Sequence, residues 1–265
     1  MQQILYQHIV DAVNEFPAGA IRQRYASAAL SWRHPYWDWA AEPPAGESVL
    51  PTSITSPTIT VTMPNGTATI PNPLYSYHFQ WITVADFYYS PVSQTQTCDS
   101  CSGLMSQFAE WKYTMRAPTN WSSSAYSQDN LVAQALDNGR ISFRDRLYNL
   151  FTSYNNFTQF GNEAWMSSSD VSNADSLEAI HDVIHSITGS GGHMTYLDYS
   201  AFDPLFWLHH TMIDRSYALW QAIYNDSYVE PMAALDPTFT VRAGTLLDVN
   251  TRKFKVMARP ESRLY

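Results

Sequence analysis

The strongest constraint in this sequence is a pair of histidines, His181 and His185, spaced four residues apart. Residues at positions i and i+4 of an α-helix lie one above the other on the same face, so both imidazoles can reach a common point. Chelation of one metal ion by two imidazoles requires that geometry. A lone histidine on an apolar face is more often a core residue than a ligand, so the pair by itself only suggests a metal site.

The helix that carries this pair is predicted to begin at a capping box. Asp175 is the predicted N-cap and Glu178 follows it three residues later. Leucine and isoleucine residues at helical spacing supply its apolar face, and the glycine-rich run at 189–192 ends it.

A second helix is predicted to begin at Asp203-Pro204, with Asp203 as N-cap and Pro204 at the first helical position. This helix carries the adjacent pair His209-His210, and Phe206 shares a face with His210. Neighbouring residues on a helix point about 100° apart. We therefore expect only one of the two adjacent histidines to face His181 and His185.

Three imidazoles without a thiolate suit copper, zinc or iron. His181 is followed by Asp182, so the segment is not the HExxH motif in which a glutamate acts as the base. A mononuclear zinc or iron hydrolase also needs a carboxylate base near the metal-bound water. Asp182 points off the His181 face, which counts against this alternative.

Composition excludes several classes of function. The formal net charge of −9 and the pI near 5.2 argue against nucleic acid or an anionic membrane as a partner. No stretch approaches the roughly 18 apolar residues that a membrane span needs. With 45% hydrophobic and only 15% charged residues, the chain is globular.

The remaining patterns predict a mainly α fold, a helical bundle with long loops and one small β-hairpin. A single domain is expected over 1–250, followed by a basic, poorly ordered tail over 251–265. The hairpin is predicted from Thr58–Met63 and Thr67–Ile70, which flank Pro64-Asn65-Gly66. Further helices are predicted over 4–16, 21–32, 130–136 and 142–151, and an ordered loop over 76–127.

The segment from Asp203 to Arg215 resembles the second copper-site signature of tyrosinases, catechol oxidases and molluscan-type haemocyanins. The segment Pro35-Tyr36-Trp37-Asp38-Trp39 resembles the structural segment that lies between the two copper sites of the family. The Gly192-His193-Met194 and Leu219-Trp220 segments resemble the short fungal members in particular. The resemblance runs with interruptions from about residue 1 to about residue 250.

This resemblance implies that His181, His185 and His210 bind one copper ion of a two-copper centre. Such a centre oxidises small phenolic substrates, o-diphenols, to o-quinones with dioxygen, and true tyrosinases also hydroxylate monophenols, a monooxygenase activity. The resemblance places Phe206 beside the ligands, where it packs against them or lines the substrate pocket. Asp214 and Arg215 are expected to form a structural pair beneath the ligands or to support them from behind.

The resemblance also implies three further histidines upstream of Pro35, the last of them in a Trp-His-Arg-x-Tyr segment. Only His8 and His34 occur there, and neither matches a ligand position. We therefore expect the first copper site to be missing from a chain that is incomplete at its N-terminus. As written, the chain would bind one copper and lack catechol oxidase activity. The alternative is a non-catalytic copper-binding homologue that keeps the second site.

Localisation is expected to be extracellular, on the strength of the family and of four Asn-x-Ser/Thr sequons, although no signal peptide is present in the chain as written. Cys98 and Cys101 allow a small disulfide, a redox pair or free thiols. A disulfide is favoured because no βαβ pattern surrounds them. The sequons begin at Asn65, Asn120, Asn156 and Asn225.

Overall fold

Helices dominate the computed structural model, which describes residues 2–80, 108–163, 174–227, 230–234 and 241–248. The mainly α class is confirmed. The helices are α1 Gln2–Glu15, α2 Ala20–Leu30, α3 Thr52–Thr55, α4 Asp129–Ser153, α5 Phe157–Gly161, α6 Leu177–Gly189 and α7 Pro204–Ile223. Two antiparallel pairs of strands accompany them, β1 Thr58–Met63 with β2 Gly66–Pro71, and β3 Met232–Ala233 with β4 Leu246–Leu247. Among the described residues, no helix combines the length and the apolar composition that crossing a bilayer requires.

The first two helices lie close to the ranges that the sequence predicts, and they pack against each other as a hairpin. The ring of Phe16, just after α1, packs on Tyr25 of α2 with centroids 5.0 Å apart. None of the described residues of α1 is fully buried. This pair of helices therefore contributes little to the core around the histidines.

The predicted β-hairpin is also confirmed. Met63 pairs with Gly66 across a two-residue turn at Pro64 and Asn65. Gly66 has a φ of 127°, a conformation that is open to glycine and strained for other residues. The glycine therefore fits the first position of the returning strand.

Residues 130–136 and 142–151 are helical, as predicted, but the predicted break between them is wrong, because α4 runs unbroken through Gly139. A glycine inside a helix costs about 1 kcal/mol relative to alanine. One apolar stripe is buried along the whole length of α4, and that burial outweighs the cost. The buried residues of the stripe are Val132, Leu136, Phe143, Leu147 and Leu150.

The predicted start of α6 is wrong by one residue. The N-cap is Ser176, whose Oγ accepts a hydrogen bond of 3.0 Å from the backbone N–H of Ala179. Asp175 is instead held by Arg146 of α4 through two hydrogen bonds of 2.6 and 2.7 Å. Because that guanidinium already occupies the carboxylate, the neighbouring hydroxyl caps the helix.

The predicted start of α7 is confirmed. The carboxylate of Asp203 accepts a hydrogen bond of 2.9 Å from the N–H of Leu205, and Pro204 lies in the first turn. Asp203 is also fully buried against Arg116, which donates to its two oxygens at 2.7 and 2.8 Å. An ion pair inside the protein thus anchors the beginning of the helix that carries His209 and His210.

The Pro35–Trp39 segment packs directly on α7. The N–H of Trp37 donates to the carbonyl of Leu208 at 3.1 Å, and its indole N–H donates to Val49 at 2.7 Å. The ring of Trp39 is fully buried between Phe143 and His209. The segment therefore joins α4 and α7 in one core behind the histidines.

Several predictions lie outside the described residues: the Cys98–Cys101 pair, the tail over 251–265, and the part of the 76–127 loop at 81–107. The limit of a single domain at residue 250 stays a prediction. In the described parts of that loop, His78 pairs with Tyr113 in an isolated bridge and stacks on its ring.

Candidate metal centre

Helices α6 and α7 bring three imidazole nitrogens to one point. The Nε2 atom of His210 lies 3.2 Å from Nε2 of His181 and 3.1 Å from Nε2 of His185. In a tetrahedral site with metal–nitrogen bonds of about 2.0 Å, ligand nitrogens lie about 3.3 Å apart. Both distances therefore match the spacing of ligands on one metal ion.

The other nitrogen of two of these rings is fixed by an acceptor. Nδ1 of His181 lies 2.7 Å from a carboxylate oxygen of Asp182, and Nδ1 of His185 lies 2.8 Å from the carbonyl oxygen of Met194. A carbonyl or a carboxylate only accepts, so each Nδ1 carries the proton. The Nε2 lone pairs are left for a metal, and these acceptors set the ring orientations.

The site favours neutral imidazoles. Burial, and then the neighbouring His181 and His185, lower the pKa of His210 to about 3. Burial also lowers the pKa of His185, with the Met194 carbonyl opposing the change. Metal binding requires deprotonated ligands, so the folded chain presents the form that coordination needs.

His209 does not point away from the other histidines, and that expectation was wrong. The ligand atoms of His209, His181, His185 and His210 all lie within 4.8 Å of one another. The ring of His209 stacks on that of His181 with centroids 5.1 Å apart and an angle of 17°. The buried stripe of a packed helix is at least about 100° wide, so two adjacent residues of α7 can both face α6.

His209 is fully buried, and its pKa lies well below the ordinary value because of burial and then of the three neighbouring imidazoles. Neither of its ring nitrogens makes a hydrogen bond of good geometry within the described part of the chain. The three Nε2 atoms of the other histidines converge more closely. These three fit a single metal ion better than a set that includes His209, whose ring stacks on that of His181.

Phe206 lies on the ring of His210. Their rings stack with centroids 3.9 Å apart and an angle of 24°, and the ring of His185 meets Phe206 edge-on at 5.7 Å. This contact covers one face of the His210 ring and restricts its rotation. Phe206 does not line the cavity beside His181 and His185.

Asp214 and Arg215 do not form the expected pair. Asp214 is exposed, and the guanidinium of Arg215 lies over the ring of Tyr36 at 4.8 Å from its centroid. No ion pair joins Asp214 to Arg215 among the described residues. Arg215 thus ties α7 to the Pro35–Trp39 segment.

A cavity of about 290 Å³ opens beside His181 and His185. Its volume is near the lower end of the range of about 300–1,000 Å³ for small-molecule sites. It is lined by His181, Asp182, His185, Ser186, Met194, Thr195, Leu197 and Ser200. A small aromatic molecule in this cavity would lie against the ligand rings.

The sequence alone did not identify Asp182, Met194 or Arg116 as parts of this site. For Asp182 a signal existed, because it directly follows a ligand. For the carbonyl of Met194 and for Arg116 the local sequence held no signal.

The family model described as the common central domain of tyrosinase matches residues 5–223. A tyrosinase of Podospora anserina is 37% identical over 244 residues, which cover 92% of this chain and 40% of that protein. A tyrosinase of Neurospora crassa is 34% identical and covers 92% of this chain and 33% of its own length. Polyphenol oxidase 2 of Agaricus bisporus is 30% identical, with coverages of 95% and 41%.

Solved structures give the same result for the fold. A recombinant mushroom tyrosinase superposes with a TM-score of 0.72 at 29% identity, covering 93% of this chain and 40% of that chain. A copper-bound tyrosinase of Aspergillus oryzae superposes with a TM-score of 0.69 at 24% identity, covering 86% and 60%. The chain thus spans about two fifths or less of the curated relatives named above.

Proposed function

The chain belongs to the tyrosinase family, and we propose that its histidine cluster holds one copper ion of the centre with which such enzymes oxidise o-diphenols to o-quinones. The observation that carries this proposal is the position of the His210 Nε2 atom, 3.2 Å from Nε2 of His181 and 3.1 Å from Nε2 of His185. Copper is the cofactor of the family. His181, His185 and His210 would hold it, and the bound metal supplies the redox chemistry with dioxygen.

The surrounding residues would keep this site in its binding form. Asp182 holds the proton of His181 at Nδ1, and the Met194 carbonyl does the same for His185. The ring of Phe206 covers one face of His210. These contacts orient the ligands before the metal arrives, so less ordering accompanies binding.

We propose that these 265 residues bind a single copper. Within the described ranges, the histidine cluster is the only group of three or more metal-ligating side chains. The four other histidines of the chain lie elsewhere in the fold. His8 is on the exposed α1, His34 bonds Thr211, His78 stacks on Tyr113, and His193 is enclosed by aromatic rings.

Oxidation of an o-diphenol to an o-quinone removes two electrons and two protons. One copper ion cycling between its two common oxidation states exchanges one electron. We therefore expect the 265 residues alone to bind copper without catechol oxidase activity. A non-catalytic copper-binding homologue is the second candidate function, and the same single cluster favours it.

The cavity of about 290 Å³ supports a small phenol as the ligand. Its wall includes the two ligands of α6 and apolar groups from Met194 and Leu197. The side chain of Leu197 is 91% exposed, so it stands at the open side. A phenol ring entering there would contact apolar atoms on one side and imidazole edges on the other.

A hydrolytic zinc or iron site is disfavoured by the position of Asp182. Its carboxylate bonds Nδ1 of His181, on the side of the ring opposite to Nε2. A general base must lie within hydrogen-bond reach of the metal-bound water. Asp182 therefore serves the ligand instead of the water.

The test is copper per chain after reconstitution with Cu(II), together with oxygen uptake on 4-tert-butylcatechol. We expect about one copper, its loss in His210→Ala, its retention in the surface control His78→Ala, and no oxygen uptake. Two coppers per chain, or uptake by the isolated 265 residues, would contradict a single inactive site. Failure of the wild type to bind copper would contradict the proposal as a whole.

We also propose that the protein is secreted and glycosylated. Asn65, Asn120 and Asn225 are exposed, as an acceptor site needs. Asn156 is less suitable because it caps α5 and donates to Glu230 at 2.6 Å. After expression in a eukaryotic secretory host, enzymatic removal of N-glycans should lower the mass of the protein. The peptides that contain Asn65, Asn120 and Asn225 should carry the glycans, and an unchanged mass would contradict glycosylation.

A further inference from the structure

We infer that His193 is a positioning residue for the metal ligand His185, acting through the backbone carbonyl of Met194. The inference rests on the proposed function only in that His185 binds copper. His193 lies eight residues beyond this ligand and outside the cluster, in a single helical turn at His193–Thr195. Its side chain is fully buried.

His193 and Met115 exchange two hydrogen bonds. The backbone N–H of Met115 donates to Nδ1 of the His193 ring at 2.9 Å, and the backbone N–H of His193 donates to the carbonyl of Met115 at 3.0 Å. One bond uses the side chain and the other uses the main chain. Together they fix the position of His193 relative to a segment 78 residues away in the chain.

The first of these bonds defines the state of the His193 ring. Since a backbone N–H donates to Nδ1, that atom bears a lone pair and the ring proton is on Nε2. Phe79 stacks on the ring at 5.4 Å, and Phe108 and Trp111 pack against it at 4.7 and 5.7 Å between centroids. Burial lowers the pKa of His193 to about 4, so the ring stays neutral near pH 7.

The next residue, Met194, connects the fixed position of His193 with the metal site. The carbonyl of Met194 accepts the Nδ1 proton of His185 at 2.8 Å, and Met194 is itself fully buried. A metal-bound histidine needs such an acceptor to fix its tautomer and its ring orientation. His193 therefore acts on His185 through one intervening carbonyl and touches no reacting group itself.

The turn has little freedom to compensate for the loss of His193. The space where a Cβ on Gly192 would lie is occupied by the carbonyl oxygen of Met115, and that on Gly189 by the backbone of Thr195. These backbone segments lie as close to each other as steric contact allows. Because the backbone has no room to adjust locally, we expect a shift of the turn after loss of the ring anchor to move the Met194 carbonyl as well.

A purely space-filling role for His193 is the alternative, and two variants separate it from positioning. In His193→Asn the side-chain oxygen takes the place of Nδ1 and can accept from Met115, while ring volume is lost. In His193→Phe the ring volume is kept, while the acceptor is lost and a buried N–H is left unpaired. A positioning role predicts rescue by asparagine, whereas a packing role predicts rescue by phenylalanine.

The first measurement is on the metal-free wild type, by 15N NMR of the histidine side chains. We expect the proton on Nδ1 in His185 and on Nε2 in His193. This result does not depend on copper or on how any variant folds. A His193 ring that carries its proton on Nδ1 would overturn the inference.

The second measurement compares the metal-free variants by the same NMR method and then determines their copper affinity. Near-UV circular dichroism and thermal unfolding establish that each is folded. We expect His193→Phe to lose the single Nδ1–H tautomer of His185 and to bind copper about 10–100-fold more weakly. His193→Asn should keep the tautomer and bind within about threefold of the wild type.

His78→Phe is the matched control, since it makes the same exchange at an exposed position and should leave both readouts unchanged. The inference is overturned if folded His193→Phe keeps the His185 tautomer and the copper affinity. Should His193→Phe fail to fold, the wild-type tautomers and His193→Asn carry the test. Absence of copper binding by the wild type would count against the proposed function, while the metal-free tautomers would still decide the role of His193.

Discussion

At the scale of single residues, the tautomer of each imidazole is set by the group that contacts its Nδ1 atom. His181 and His185 bind different acceptors, a carboxylate and a carbonyl, and both keep Nε2 free of a proton. His193 has the opposite tautomer because a backbone N–H donates to it. The same side chain therefore leaves Nε2 available to a metal at two positions and accepts a hydrogen bond through Nδ1 at a third.

Burial of His193 predicts a dependence of stability on pH. In the unfolded chain its pKa is near 6.5, and in the folded chain it is about 4. Between these values the unfolded state binds more protons, so the free energy of unfolding falls as the pH is lowered from 6.5 towards 4. The slope from one such group is at most about 1.4 kcal/mol per pH unit.

Urea unfolding of the metal-free chain at about pH 7 and about pH 5 checks this prediction. His185, His209 and His210 have lowered pKa values too, so the wild type should lose stability more steeply than one group allows. His193→Asn should have a smaller slope than the wild type. An equal slope in His193→Asn and in the wild type would contradict the assignment of a neutral buried ring.

At the scale of elements, the start of α7 is set by a buried ion pair. The carboxylate of Asp203 caps the helix through Leu205 and accepts two hydrogen bonds from Arg116. The exposed fractions of these two side chains are 0% and 2%. A buried charge that loses its partner destabilises the folded state, because neither water nor an opposite charge then stabilises it.

Asp203→Asn should therefore destabilise the chain by about 3–5 kcal/mol, since the amide can still cap the helix but cannot neutralise the guanidinium. Chemical denaturation measures the change. The control is Asp145→Asn in the exposed Arg144–Asp145 pair, for which a loss below about 1 kcal/mol is expected. A loss that small in Asp203→Asn would mean that the buried pair does not anchor α7.

At the scale of the whole molecule, copper is expected to join two helices that a loop connects. His181 and His185 are on α6, and His210 is on α7. A ligand that binds only the folded state raises the free energy of unfolding by about 2.7 kcal/mol at 100 times its Kd. We therefore expect Cu(II) to raise the unfolding temperature and a chelator to reverse the change.

Hydrogen exchange would locate this stabilisation. Protection on copper binding should increase in α6, in α7 and in the turn at His193–Thr195, and change little in α1 and α2. His210→Ala should abolish the increase, because only two of the three ligands remain. An increase of similar size in His210→Ala would indicate binding at another site.

The sequence by itself determined the features that depend on neighbouring residues. The spacing of His181 and His185 places them on one face, and Asp203-Pro204 begins a helix, because both follow from the backbone geometry of one helix. The turn at Pro64-Asn65 likewise closes a local hairpin. The resemblance of the 203–215 segment then identified the family that the comparisons confirm.

Only the tertiary structure decided which groups surround the ligands. The approach of Arg116 to Asp203 and of His193 to Met115 joins residues 87 and 78 positions apart. His209 also faces α6, although the geometry of α7 alone predicted that only one of the two adjacent histidines would do so. The surface that α7 presents to α6 is wide enough to include both. Such contacts depend on how the elements pack, and a local pattern carries no information about a partner so distant in the chain.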